Sequence, residues 1–155
     1  MPLNSKIVIS DTSCLILLIK IGELDLLRKF SERVFITSII KDELKTELPS
    51  WIEVVDPRDK HYQHILEMDI DRGEASAISL MFEIEGAVLL IDDLKGRKVA
   101  AKLNLKFSGT FGLLLKLKQT GILETLKPVI EKIRLTNFRF SEQLLSDVLR
   151  MANEN

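Results

Sequence analysis

The chemistry legible in this sequence lies in a handful of carboxylates and the residues around them. Asp11 follows Ser10 at the end of a run of three β-branched residues, Ile7-Val8-Ile9, and is itself followed by two hydroxyls, Thr12 and Ser13. Asp92 and Asp93 close a second apolar run, Ala87-Val-Leu-Leu-Ile91. Such runs read as strands buried on both faces of a parallel sheet. Open α/β sheets place ligands just beyond the carboxyl ends of strands like these. If the two strands are neighbours, Asp11 and Asp92 start about 5 Å apart. Two unit charges at that distance repel by roughly 3 kcal/mol at an effective dielectric near 20. The pair must share a proton, meet a basic residue or bind a cation. No lysine or arginine is expected at either strand end to neutralise Asp11, so a hard divalent ion with oxygen ligands, Mg²⁺ or Mn²⁺, is the natural solution.

Each acid also has a plain structural use. Asp is a preferred helix N-cap, which suits Asp11 or Asp93 equally well. Glu43 and Glu74, taken singly, read as surface charges. It is the arrangement of all four, Asp11, Glu43, Glu74 and Asp92, that points beyond these uses.

The elements that would position them follow from pattern. After Asp11, Cys14 to Ile19 and Leu24 to Phe30 read as two short helices broken near Gly22, with Asp25 on the solvated face of the second. Val34 to Thr37 is a second strand, and Ser38 is a cap for a helix from Ile39 to about Glu47 that Pro49 stops and that carries Glu43. Trp51 to Val55 suits an edge strand, and Lys60 to Met68 an amphipathic helix. Gly73 breaks the chain before a buried helix through Phe82, with Glu74 in its first turn, where the dipole favours a carboxylate. After Asp92-Asp93 comes a basic helix with Lys95, Arg97, Lys98 and Lys102. Lys106 to Ser108 is a short strand, Phe111 to Gln119 a helix closed by Gly121. Glu124 to Arg134 is helical across Pro128, a first-turn proline or a break. Ser141 caps a last helix with leucines at i, i+3/i+4 spacing. Strands alternating with helices imply right-handed crossovers and a parallel sheet covered on both faces.

The 155 residues are 46% hydrophobic and 29% charged, enough for one soluble domain, 1–155, with its core in about 5–125 and C-terminal helices in about 124–153. A net charge of −1 excludes recruitment of a polyanion by a global field; a local basic patch or metal ions would have to hold it. The single Cys14 excludes an intrachain disulfide and fits a reducing cytosol. Met1 to Lys6 lacks an apolar signal-peptide region, and no apolar run is long enough to span a bilayer. The expected place is therefore the cytoplasm, with no membrane partner.

The ordered acids resemble those of the PIN-domain nucleases. The matching pieces are Ile7-Val-Ile-Ser-Asp11-Thr-Ser13, Ile39-Ile-Lys-Asp-Glu43-Leu, Gly73-Glu74-Ala-Ser-Ala-Ile78 and Leu89-Leu-Ile-Asp92-Asp93-Leu-Lys-Gly-Arg97. Gly109-Thr-Phe-Gly112 and Phe138-Arg-Phe-Ser-Glu-Gln-Leu-Leu145 look like a toxin-like prokaryotic branch of that family. The resemblance implies a three-layer α/β/α sandwich around a five-stranded parallel sheet in order 3-2-1-4-5, with the strands of Asp11 and Asp92 adjacent. It implies an Mg²⁺- or Mn²⁺-dependent endoribonuclease whose quartet is Asp11, Glu43, Glu74 and Asp92, with Asp93 a possible fifth ligand. Asp92 is the preferred metal-facing member of the doublet because it is nearer the strand end. Family members usually carry Asp where this chain has Glu74. Thr12 and Ser13 would hydrogen-bond a ligand carboxylate or the scissile phosphate, and Lys95, Arg97 and Lys98 would follow the RNA backbone. The toxin-like branch implies an antitoxin partner and a homodimer.

His61 and His64 have zinc-compatible spacing but no third ligand nearby, and read as surface residues. Trp51 reads as cover for an apolar edge. No phosphate-binding glycine motif is present. A phosphotransferase with an aspartyl nucleophile would want an acid two residues beyond Asp11, where Ser13 stands. The rival of another class is a catalytically inactive member that only binds RNA or a protein.

Overall fold

The computed structural model describes residues 7–154; the polar amino-terminal segment discussed above lies outside them. In chain order the elements are β1 (Ile7–Ser10), α1 (Thr12–Lys20), α2 (Leu26–Phe30), β2 (Arg33–Ile36), α3 (Ser38–Leu44), β3 (Ile52–Val54), α4 (His61–Leu66) and α5 (Arg72–Met81). Then follow β4 (Ala87–Leu90), α6 (Leu94–Lys102), β5 (Phe107–Ser108), α7 (Thr110–Gln119), α8 (Lys127–Arg134) and α9 (Glu142–Met151). The strands form one parallel sheet in order β3-β2-β1-β4-β5. This is the doubly wound order that the family resemblance implies, with its switch point between β1 and β4.

Burial explains why the chain folds this way. Val8 and Ile9 in β1, Val34, Phe35 and Ile36 in β2, and Leu89 and Leu90 in β4 are all buried. Consecutive strand residues face opposite sides of a sheet, so their joint burial requires helices on both faces. Ser10 pairs with Leu90 in register, and the Asp11 amide donates to the Leu90 carbonyl at 2.9 Å. β1 and β4 therefore end level with each other, which places Asp11 and Asp92 at one edge of the sandwich.

Several local expectations are corrected. Thr37, not Ser38, caps α3: its side chain accepts from the Ile40 amide, while the Ser38 amide and hydroxyl donate to Asp56. That helix ends at Leu44 because Lys45 turns left-handed at φ 52°, before Pro49 is reached. Gly73 does not break the chain. It lies inside α5, whose N-cap is Asp71. Asp25 stands just before α2 rather than in it. Pro128 sits in the first turn of α8, where its missing N–H has no helical partner to lose. Among the described residues no helix is long and apolar enough to cross a membrane.

Candidate active site

Asp11 is built in by the end of β1. It is 1% exposed, and its carboxylate caps α1 by accepting from the Cys14 amide at 2.9 Å. It also accepts from the Ser13 hydroxyl at 3.1 Å and from the Asp92 amide at 3.2 Å. Burial nevertheless pushes its pKa up to about 6, the neighbouring Asp92 charge adding to the rise against these hydrogen bonds. Capping and ligand chemistry are thus not alternatives at this residue. The cap fixes the carboxylate at the strand end, and the bonds leave its charge without a cation.

Glu74 projects from the first turn of α5 and is 8% exposed. Its pKa rises to about 8, first through burial and then through the charges of Asp71, Asp93, Asp11 and Glu43. That list is itself a description of the site, because four carboxylates are close enough to oppose ionisation of a fifth. α5 is set against α3 by the buried hydroxyl pair Thr37 and Ser76, 2.6 Å apart. Glu43, exposed on α3, accepts a short hydrogen bond from the Thr12 hydroxyl. Gly73 makes the approach possible: a Cβ there would stand 2.5 Å from Glu43 Oε1. Asp11, Thr12, Ser13, Glu43, Asp71 and Glu74, with Ile16, line one cleft of about 290 Å³.

The doublet divides its work. Asp92 is half-buried, and its two carboxylate oxygens accept from the Thr110 amide at 2.8 Å and the Thr110 hydroxyl at 2.6 Å. Asp93 is exposed and caps α6 through the Gly96 amide at 3.2 Å. Asp92 faces Asp11 electrostatically, and Asp93 faces Glu74.

The basic set also divides. Lys95, Lys98 and Lys102 are exposed at i, i+3, i+7 and so form one stripe along α6. Arg97 folds back instead. Its Nη1 donates to the Ile91 carbonyl at 2.9 Å, and its guanidinium lies 5.1 Å from the Phe107 ring centre. A Cβ on Gly109 would stand 2.6 Å from Arg97 Nη1 and 2.7 Å from Asp92 Oδ1, so the two groups flank one small gap. The expectation of no base at either strand end is therefore corrected on the β4 side, where the long arginine returns from the next helix. What holds the Asp11 pKa down is hydrogen bonding from Cys14, Asp92 and Ser13, with no cation among the causes.

Two site residues escaped the sequence reading. Asp71 caps α5 through the Glu74 amide at 2.9 Å and lines the cleft. Its signal was the Asp-x-x-Glu spacing of an acidic N-cap pattern. Thr110 is fully buried, and only the tertiary approach of the β5–α7 turn to β4 reveals it as the holder of Asp92. Cys14, also fully buried, accepts from the Thr110 hydroxyl at 3.4 Å; burial and then the Asp92 and Asp11 charges push its thiol pKa well up, so it is an unreactive neighbour. His61 and His64 are exposed, away from the cleft.

Oxygen donors of this kind suit a hard divalent cation. Asp11 and Glu74 fit best, since burial and mutual repulsion already favour anything that neutralises them. Among the described residues, no three His, Cys, Asp or Glu side chains converge into a ready metal cage.

The fold is an α/β/α sandwich with Asp11 and Asp92 at the β1/β4 switch point of its parallel sheet. The profile of the PIN-domain family matches residues 7–154, and the chain belongs to that family. PIN domains are generally nucleases that use divalent metal ions. No curated protein matches the chain.

Proposed function

We propose that this protein is a metal-dependent ribonuclease, an endonuclease hydrolysing phosphodiester bonds of single-stranded or structured RNA. The observation that carries the reading is the pair of buried carboxylates, Asp11 and Glu74. Both are raised in pKa and both face one cleft at the sheet's switch point. Burying charge without a partner is costly, and a divalent cation is the ligand that relieves the cost. Asp11, Asp92, Glu74 and Glu43 would hold Mg²⁺ or Mn²⁺, with Asp93 at the margin. Such an ion supplies a more acidic water and positive charge for the oxygens of an in-line cleavage.

The chain's own residues supply the rest. Thr110 holds Asp92, Thr12 holds Glu43, and Ser13 holds Asp11, so each acid keeps its direction as charge changes. The Lys95, Lys98 and Lys102 stripe gives a single strand a row of phosphate partners. Arg97 contributes from the other side of Asp92, near the strand end. The test is cleavage of unstructured RNA with Mn²⁺ or Mg²⁺. Wild type should cut, and Asp11→Asn and Asp92→Asn should each lose at least a hundredfold. Cleavage by both variants at the wild-type rate would sink the assignment.

One observation favours a second reading, a binding module without catalysis: Thr110 occupies an acceptor site on each oxygen of Asp92. A wild type that binds RNA but never cuts it with either metal would support that reading. A toxin role belongs to the same proposal, with a cytoplasmic single-domain protein, an antitoxin covering the cleft, and a homodimer. Co-purification with the product of a neighbouring reading frame, and suppression of cleavage by it, would test that role.

A further inference from the structure

A second cavity, about 450 Å³, has Asp92 in its wall. Its charged lining residues are Asp92, Arg97 and Arg139. Its apolar lining includes Phe111, Phe138, Phe140, Leu144, Val148 and Met151. Phe111 is buried and holds Phe138 and Phe140 in edge contacts at 6.4 and 5.3 Å, so these two half-buried rings are fixed in place. Leu144 and Met151 on α9 are 42% and 53% exposed. Arg139 is exposed, and among the described residues it has no ion-pair or hydrogen-bond partner.

We propose that this groove is the subsite for the nucleotide next to the cleaved phosphodiester, its base lying among Phe138, Phe140, Leu144 and Met151 and its phosphate meeting Arg139 and Arg97. The inference rests on the ribonuclease reading for its orientation: Asp92 lines the groove, and its amide donates to the carboxylate of Asp11, which lines the acidic cleft. Charge selects the occupant. The apolar part alone would suit another protein, but two guanidiniums, Arg97 and Arg139, in the wall of the same groove match a phosphate. Aromatic and apolar walls accept the face of any base, which makes the site a positioning device with modest sequence preference. Arg139 and Met151 are thereby substrate-positioning residues, distinct from the acids.

The experiment is fluorescence anisotropy with labelled single-stranded hexauridylate and the matching abasic ribose-phosphate chain, in EDTA so that nothing is cut. Wild type should prefer the base-bearing strand by about tenfold. Arg139→Gln should weaken both strands and reduce the slope of log affinity against log salt by about 0.7. Met151→Glu should remove the preference for bases, while Met68→Glu, a charge change at an exposed residue outside the groove, leaves it intact. No preference in wild type, or wild-type binding by both groove variants, overturns the proposal. So does a dimer seen by light scattering that Met151→Glu breaks while RNA affinity stays unchanged, because the groove would then seat a second copy. Absence of cleavage with Mn²⁺ or Mg²⁺ counts against the ribonuclease reading alone; the binding series judges the groove without it.

Discussion

Replacing Glu74 by Gln should make the metal-free protein more stable at alkaline pH, although it removes an acid from the heart of the cleft. Glu74 is raised from 4.5 to about 8 by burial and by four neighbouring carboxylates. A carboxyl raised in the folded state binds a proton that the unfolded chain releases, so stability falls as pH climbs from about 4.5 and levels off above about 8. Each pKa unit corresponds to about 1.4 kcal/mol. With the charge shared among the cluster, ionising Glu74 costs on the order of 2–4 kcal/mol. A chain of this size shifts its Tm by about 2–4 °C per kcal/mol. In EDTA, wild type should therefore lose roughly 5–10 °C between pH 5.5 and 8.5. Glu74→Gln cannot ionise and should lose much less, crossing above wild type near neutrality. Calorimetric scans of both proteins across that range are the assay. A wild-type Tm that rises over this interval, or a Gln variant that follows wild type degree for degree, would refute the reasoning. Asp11, raised from 3.8 to about 6, adds a smaller loss in the lower part of the same window.

Gly73→Ala should separate folding from activity. Alanine gains about 0.5–1 kcal/mol of helix stability, but its Cβ would displace the flexible end of Glu43, standing 2.5 Å from Oε1. Thermal stability should stay within a few degrees of wild type while RNA cleavage falls at least tenfold; an unchanged cleavage rate would remove Glu43 from the site. Thr110→Val keeps the amide bond to Asp92 but deletes the 2.6 Å hydroxyl bond to a carboxylate, costing about 1.5–3 kcal/mol in urea titration and lowering kcat more than it raises KM. Loss of all three lysines, Lys95, Lys98 and Lys102, should raise KM for RNA and reduce the slope of log affinity against log salt by about 2 while leaving kcat near wild type. An unchanged salt slope in that variant would mean that the strand runs elsewhere.

The sheet was readable because β1 and β4 are built on the apolar runs Ile7-Val8-Ile9 and Val88-Leu89-Leu90, each followed within two residues by an acid. The order of strands and the adjacency of Asp11 to Asp92 came from the family resemblance, not from the strands alone. Helix boundaries were less legible, because adjacent hydroxyls compete for the same cap. Thr37 and Ser38 both suit it, and only Asp56, coming from beyond β3, takes Ser38 away. Gly73 read as a breaker since a glycine in sequence does not announce whether it serves a turn or a close approach. The approach of Glu43 decides, and that contact spans two helices. Thr110 and the folded-back Arg97 were hidden for the same reason: each acts on β4 from an element later in the chain. Asp11 shows the converse. In sequence a helix cap and a member of an acidic site look like alternatives, yet the Asp11 carboxylate caps α1 and lines the acidic cleft in one geometry.

If the acids at the β1/β4 switch point form a divalent-cation site, an anomalous difference map from crystals soaked in Mn²⁺ near pH 8 will show it directly. A peak should stand in the cleft within bonding distance of an Asp11 carboxylate oxygen and be absent from Asp11→Asn crystals. A featureless cleft between Asp11, Glu74 and Asp92 in well-diffracting wild-type crystals, free of lattice contacts at that face, would contradict it.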